Sequence, residues 1–431
     1  NILLSRSYLK GSGDLLAAIE TALWQKHESP DAWENVLAVA VRDTEPCGFI
    51  ITSILLQLLQ EKLPVSEEVV KAAAGNQWQG GVIMLLLLEN RGKKLPVSEE
   101  MVKVAAANEG RGGIIIQLLL EHRGKKLQVS EEVVKAAAAN EEQGDIIIQL
   151  LLEHRGDKLP VSEEVVKAAA ANKRQGYQII QLLLEYHGDK LPVSEEVVKA
   201  AAANKRQGYQ IIQLLLEYHG DKLPVSEEVV KAAAANEEQG DTIMQLLLEH
   251  HGNKLPVSEE MVKAAAVNER QGDQIIQLLL EYHGAKLPVS EKIVKTAAAN
   301  KIRGNQIMQL LLQHHGNKLP VSEEIVKAAA ANEEQGDTII QLLLTHHGDK
   351  LPVSEKVVKA AAANEGRGNQ IIQLLLEHHG QKLPVSEEVV KAAAANQWQG
   401  DQIMQLLLEH HGNKLPVSKE VVKAAAANQW Q

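Results

Sequence analysis

The chain repeats itself every 32 residues. The unit LPVSEEVVKAAAANEEQGDTIMQLLLEHHGNK, as it stands from Leu223 to Lys254, has its opening leucine at Leu63, Leu95, Leu127, Leu159, Leu191, Leu223, Leu255, Leu287, Leu319, Leu351, Leu383 and Leu415, with no insertion or deletion between copies. A period of this size, held this strictly, is the mark of a solenoid, in which each unit buries its apolar side only against the units before and after it. The period overrides length as a guide. A chain of 431 residues would ordinarily suggest two or three globular domains, whereas an unbroken period predicts one elongated array.

Each unit reads as two helices. Ser226 sits where an N-cap belongs, Glu227 and Glu228 fill the first turn where the helix dipole favours acid, and Val225 is placed to staple against Val230. The first helix runs to Ala235, with Glu227 four residues before Lys231 in the favourable order for a surface pair, and Asn236 and Gly240 end it and open a loop. The second helix carries Ile243, Met244, Leu246, Leu247 and Leu248, a stripe too wide for one partner, and stops at Gly252 with Pro256 soon after. The predicted fold class is therefore all-α, an α-solenoid of helix-turn-helix repeats. With helices about 10 Å across, twelve layers would extend on the order of 120 Å.

Residues 1–62 read as an N-terminal cap followed by a degenerate repeat, and 63–431 as tandem helical repeats, eleven full copies and a final half copy. In the degenerate copy Val36, Leu37 and Ala38 to Val41 match the first helix and Ile54, Leu55, Leu56, Leu58 and Leu59 the second; Trp24, Trp33 and Phe49 are expected to fill the core there. The half copy from Leu415 offers a first helix, Val421 to Ala427, without a second to cover it, so end-to-end self-association is expected of it. The sequence does not begin with Met, which leaves open that it is a piece of a longer protein.

The balance of 45 Lys and Arg against 56 Asp and Glu gives a net charge of −11, no general reason to bind nucleic acid or an acidic membrane. A single Cys47 rules out an intrachain disulfide. No signal peptide, lipidation motif or long apolar run is present, and a soluble, cytoplasmic protein is the expectation. No Walker-type phosphate loop, GxSxG or HExxH occurs, so no catalytic residue and no cofactor is predicted, and the chain reads as non-enzymatic.

Differences between copies concentrate in the interhelix loop and at the end of the second helix. The two residues after the loop asparagine are Gln77 and Trp78, Glu141 and Glu142, Lys173 and Arg174, Lys205 and Arg206, Glu237 and Glu238, Gln397 and Trp398, so charge reverses while the frame stays fixed. Drift in exposed loops should also have altered Lys71 and its counterparts, which never change, and a recognition surface is inferred. Lys173, Arg174 and Tyr177 with Lys205, Arg206 and Tyr209 form a candidate site for an anionic partner, and Trp78 and Trp398 a second set of candidate contacts. Paired histidines such as His250 and His251 end the second helices. Adjacent helical residues diverge by about 100° and successive layers lie about 10 Å apart, too far for shared coordination, so no metal is predicted and the histidines are assigned to helix C-termini, favourable when protonated.

The stretch Ala233 to Gly252, AAANEEQGDTIMQLLLEHHG, resembles the second half of an ankyrin repeat, although Val225 to Val230 stand where ankyrin has Thr-Pro-Leu-His. The tandem EEVVKAAAAN pattern from Leu63 to Gln431 more closely resembles the C-terminal array of fungal NLR-like (NACHT, STAND) proteins. That resemblance implies an ankyrin-like recognition array of an innate immune or incompatibility receptor, binding a protein or foreign ligand while a separate nucleotide-binding domain signals. The alternative from the uncovered helix is a structural protein stacking into a filament.

Overall fold

The computed structural model describes residues 13–24, 30–59 and 63–428. Among these every regular element is helical and none is a strand, so the chain is an all-α solenoid and no hairpin joins the repeats. Each layer has the same course. In the layer opening at Leu159, a first helix Glu163–Ala171 leads through a four-residue loop to a second helix Gly176–His187, then a single 3₁₀ turn Gly188–Lys190 returns the chain to the next leucine. Ser162 caps the first helix by accepting from the Val165 amide at 3.4 Å. Gly188 adopts the left-handed φ of 52° that closes the second helix, a conformation a Cβ disfavours.

Contacts divide the chain into two compact units, Asn1–Pro224 and Val225–Gln431. In the first, helix Gly13–Trp24 packs on Pro30–Arg42, which packs on Glu67–Gly75, while Pro46–Leu59 packs on Gly80–Arg91. Val36, Leu37, Ala40, Val41, Leu55 and Leu56 are buried there, but Trp33 and Phe49 are only half-buried, so aliphatic side chains rather than rings supply this core. The side chain of Trp24, and residues 429–431 with Trp430, lie outside the described residues.

Beyond this start each unit stacks like on like: Glu131–Ala139 lies between Glu99–Ala107 and Glu163–Ala171, and Gly144–Arg155 lies between Gly112–Arg123 and Gly176–His187. The Val225–Gln431 unit does the same with Glu259–Val267 through Lys419–Ala427. Val165, Val166, Ala169 and Ala170 face one seam, and Ile179, Ile180, Leu183 and Leu184 the other, all 0–1% exposed. Alanines on the first helix permit close approach, and the branched side chains of the second fill the remaining width. Leu246, expected inside, is half-exposed, so the second helix keeps one apolar column at its surface.

Candidate recognition face

The loop is held by two side chains that do not vary with its charge. Asn172 is 3% exposed. Its Nδ2 donates to the Ala138 carbonyl at 3.0 Å and the Asn140 carbonyl at 2.9 Å, both one layer earlier, while its Oδ1 accepts from the backbone amides of Arg174 and Gln175. Gln175 Nε2 donates to the Glu142 carbonyl at 3.1 Å and its Oε1 accepts from the Asp145 amide at 3.4 Å. The same asparagine bonds recur at Asn108, Asn140, Asn204, Asn300, Asn332, Asn364 and Asn396. Loop conformation thus depends on main-chain groups plus one Asn and one Gln, and the side chains between them are free to change.

Those side chains point outward. Trp78 and Trp398 are 68% and 67% exposed. Lys173, Arg174, Lys205 and Arg206 are exposed, Tyr177 and Tyr209 half-buried at the start of their second helices, and Gln207 Nε2 ties the two cationic loops by donating to the Arg174 carbonyl at 2.8 Å. The structure therefore brings Lys173 and Arg174 beside Lys205 and Arg206, but Arg174 is hydrogen-bonded to Glu142 of the preceding layer, as Arg270 is to Glu238, and Lys301 reaches Glu333 at 3.1 Å. Charge reversal between loops is read out partly as pairing between layers. Three loops depart from this form, with an Arg in place of the bridging Gln: Arg111 donates to the Trp78 carbonyl, Arg303 to that of Arg270 and Arg367 to that of Glu334. Two of these also carry a glycine: a Cβ on Gly110 would lie 2.1 Å from the Gln77 carbonyl oxygen and one on Gly366 equally close to that of Glu333.

The exposed side of the second helix continues the same face. A Gln at mid-helix donates to a Glu one turn on, as Gln181 does to Glu185 at 3.1 Å and Gln277 to Glu281 at 2.9 Å. The next position is Tyr186, Tyr218 or Tyr282, about 40% exposed, or a histidine. The exposed side of the first helix differs little between copies, and it is interlocked. Lys135 reaches Glu164 of the next layer at 3.3 Å, Lys71 reaches Glu100 at 3.4 Å, and Ser162 Oγ donates to Glu131 at 2.6 Å. A hydrogen bond from Lys135, then the charge of Lys167, holds the Glu164 carboxyl below its ordinary range. Constancy of Lys71 thus has a local cause that the sequence did not reveal. Lys231 pairs with Glu228 at 3.3 Å, not with Glu227; in several layers the first acid of the helix instead accepts from the cap serine of the next layer, as Glu355 does from Ser386 at 2.6 Å.

The histidines split into two kinds. His154, His250, His314 and His378 are exposed, whereas His187, His283, His315, His347, His379 and His411 are half-buried, each with Nε2 buried and lacking a hydrogen-bond partner. Desolvation lowers the pKa of all six, so at these positions the charged form is disfavoured, against the sequence-based expectation. Arg123 and Arg155 occupy the equivalent position in earlier layers and there donate to the Leu95 and Leu127 carbonyls. Among the described residues no group of three His, Cys, Asp or Glu is placed to hold a metal ion, and no helix is long and apolar enough to cross a membrane.

Comparison with curated proteins returns no match. A family model described as "Domain of unknown function (DUF7104)" matches twelve successive windows, the first 54–84 and the last 406–431, each beginning inside one second helix and running through the following first helix. The matched windows cover most of the chain, which belongs to that family as a tandem array of its repeat.

Proposed function

We propose that the chain is a binding array whose recognition face is formed by the interhelix loops and the outer side of the second helices, and that it acts by binding rather than by catalysis. The observation that carries this reading is the arrangement seen at Asn172 and Gln175: the loop backbone is fixed by a recurring Asn and a bridging Gln or Arg, so the exposed side chains can be exchanged without refolding the array. A surface of changeable side chains on an invariant frame suits recognition of a protein partner, with an anionic ligand favoured at Lys173, Lys205 and Arg206. The resemblance to fungal NLR-like arrays agrees with this reading and would make the face the sensing surface of a cytoplasmic receptor.

Sedimentation velocity over a range of concentrations tests it against end-to-end assembly, to which the exposed Leu408 and Val422 would contribute. A binding array sediments as one species at all concentrations. Growth of the sedimentation coefficient with concentration would favour the filament.

A further inference from the structure

In the Val225–Gln431 unit, three successive second helices, Gly304–His315, Gly336–His347 and Gly368–His379, enclose an open groove of about 540 Å³ on the proposed recognition face. Its lining is amide-rich and includes no Lys or Arg. The groove lies where the pattern of the outer face breaks. On the third wall of the groove, and in other layers, the mid-helix Gln is held by Glu one turn on, as in Gln373 to Glu377 at 2.9 Å and Gln405 to Glu409 at 2.9 Å. On the first two of the three helices that Glu is replaced by Gln313 and Thr345, and the Thr345 hydroxyl turns back to the Gln341 carbonyl at 2.8 Å. The amides of Gln309 and Gln341 are left without that partner.

Two acceptors at the same place are also unsatisfied. Asp337 Oδ1 and Gln370 Oε1 are buried atoms with no hydrogen-bond partner. In other layers the equivalent aspartate accepts from the next backbone amide, Asp145 from Ile146 at 2.8 Å and Asp241 from Thr242 at 2.7 Å. Arg367 Nε forms an ion pair with Asp337 Oδ1 at 3.8 Å, but this is beyond hydrogen-bond range, and its proton is given to the Glu334 carbonyl at 3.2 Å. An unpartnered buried acceptor carries a free-energy cost, which a donor arriving from outside would recover.

Spacing identifies the donor's carrier. Packed helices lie 8–10 Å apart and an extended chain rises about 3.3 Å per residue, so successive layers present one Gln for about every three residues of extended peptide. A primary amide carries both a donor and an acceptor, the complement of a peptide group. We propose that the groove binds an extended peptide segment, its main chain held by Gln309 and Gln341 and a Lys or Arg side chain placed on Asp337 and Gln370. The proposal rests on the outer face being the binding surface and names its occupant.

The test uses the full chain and a fluorescent library of random peptides of about nine residues, measured by anisotropy. Peptides with a basic residue should be enriched, and the best of them should bind about tenfold more weakly when that residue is replaced by Gln. Asp337→Asn should weaken it similarly. So should the double variant Gln313→Glu with Thr345→Glu, which rebuilds the clamp on both glutamines at exposed positions and should leave thermal melting unchanged. Enrichment without basic residues, or binding that survives both variants, would overturn the groove assignment. Peptide binding lost instead on reversing Lys173 and Lys205 would overturn it while leaving the face as the binding surface; binding untouched by any change on the face would remove both readings.

Discussion

Asn172 donates through Nδ2 to the main-chain carbonyl of Asn140 at 2.9 Å, and Asn140 donates in turn to the carbonyl of Asn108 at 3.2 Å. Within each compact unit, successive layers are thus joined by a buried amide as well as by apolar packing, as Asn332 and Asn364 show in the second. Asn172→Ala would leave the carbonyls of Ala138 and Asn140 and the amides of Arg174 and Gln175 without these partners, at a cost of about 3 kcal/mol or more. Asn172→Asp removes the donor and sets a carboxylate against two carbonyls, so it should cost at least as much at neutral pH. Hydrogen exchange at the loops opening on Asn140 and Asn172 reads the effect locally, which suits an array whose unfolding need not be two-state.

Acid should loosen the stack. His187, His283, His315, His347, His379 and His411 have folded-state pKa values below the ordinary value near 6.5, because burial penalises the charged ring. The unfolded chain therefore binds protons first, and stability that is complete above about pH 7.5 is lost as pH falls through the ordinary histidine range toward the lowered values. The lowered carboxylates, Glu164 among them, titrate at more acidic pH and do not offset this. Melting curves at about pH 7.5 and 5.5 should show the lower midpoint at the acid value. His187→Arg should place a guanidinium against the Leu159 carbonyl, as Arg155 meets that of Leu127, raising stability by about 1 kcal/mol and weakening the acid response.

Loop charges should matter little to stability. Arg174 and Glu142 are both well exposed, so reversing either alone should cost at most about 1 kcal/mol, and reversing both should restore most of it. A double-mutant cycle at low and high salt measures the coupling, which should shrink as salt rises.

Gly110 and Gly366 should be far less tolerant than their neighbours. A methyl group on either meets a backbone oxygen of the preceding layer at 2.1 Å, so Gly110→Ala should destabilise by about 2 kcal/mol, whereas Glu142→Ala at the equivalent site should be nearly neutral. Chemical denaturation of the two variants side by side checks the contrast.

The helix pair and its apolar seams were legible in the sequence because Val165, Val166, Ile179, Ile180, Leu183 and Leu184 recur at helical spacing and fixed period. What the sequence concealed lies between layers. The loop asparagine, as Asn236, read only as a helix stop, and the bridge made by Gln175 went unread, because a hydrogen bond to a residue 32 or 33 positions away leaves no local pattern. The invariance of the asparagine was the available signal. Lys231 was assigned to Glu227 by helical spacing alone, whereas in the structure it meets Glu228, and the equivalent first acid Glu355 accepts from the serine of a neighbouring layer. The candidate cations Lys173, Arg174, Lys205 and Arg206 were found from their charge, but the pairing of Arg174 with Glu142 was not, since adjacency across a repeat appears only when the layers are stacked.

The central claim, that binding resides on the loop and outer second-helix face, is tested most directly by comparing two surface variants of the full chain. One carries Trp78→Ala, Lys173→Glu, Lys205→Glu and Trp398→Ala on the proposed face; the other carries Lys71→Ala, Lys135→Ala, Lys295→Ala and Lys359→Ala on the first-helix side, where each lysine meets a glutamate of the next layer. Both should fold, because exposed pairs contribute at most about 1 kcal/mol each. Protein ligands selected against the unaltered chain should lose about tenfold or more in affinity for the first variant and keep it for the second. Ligands that bind the first variant undiminished and fail on the second would contradict the assignment.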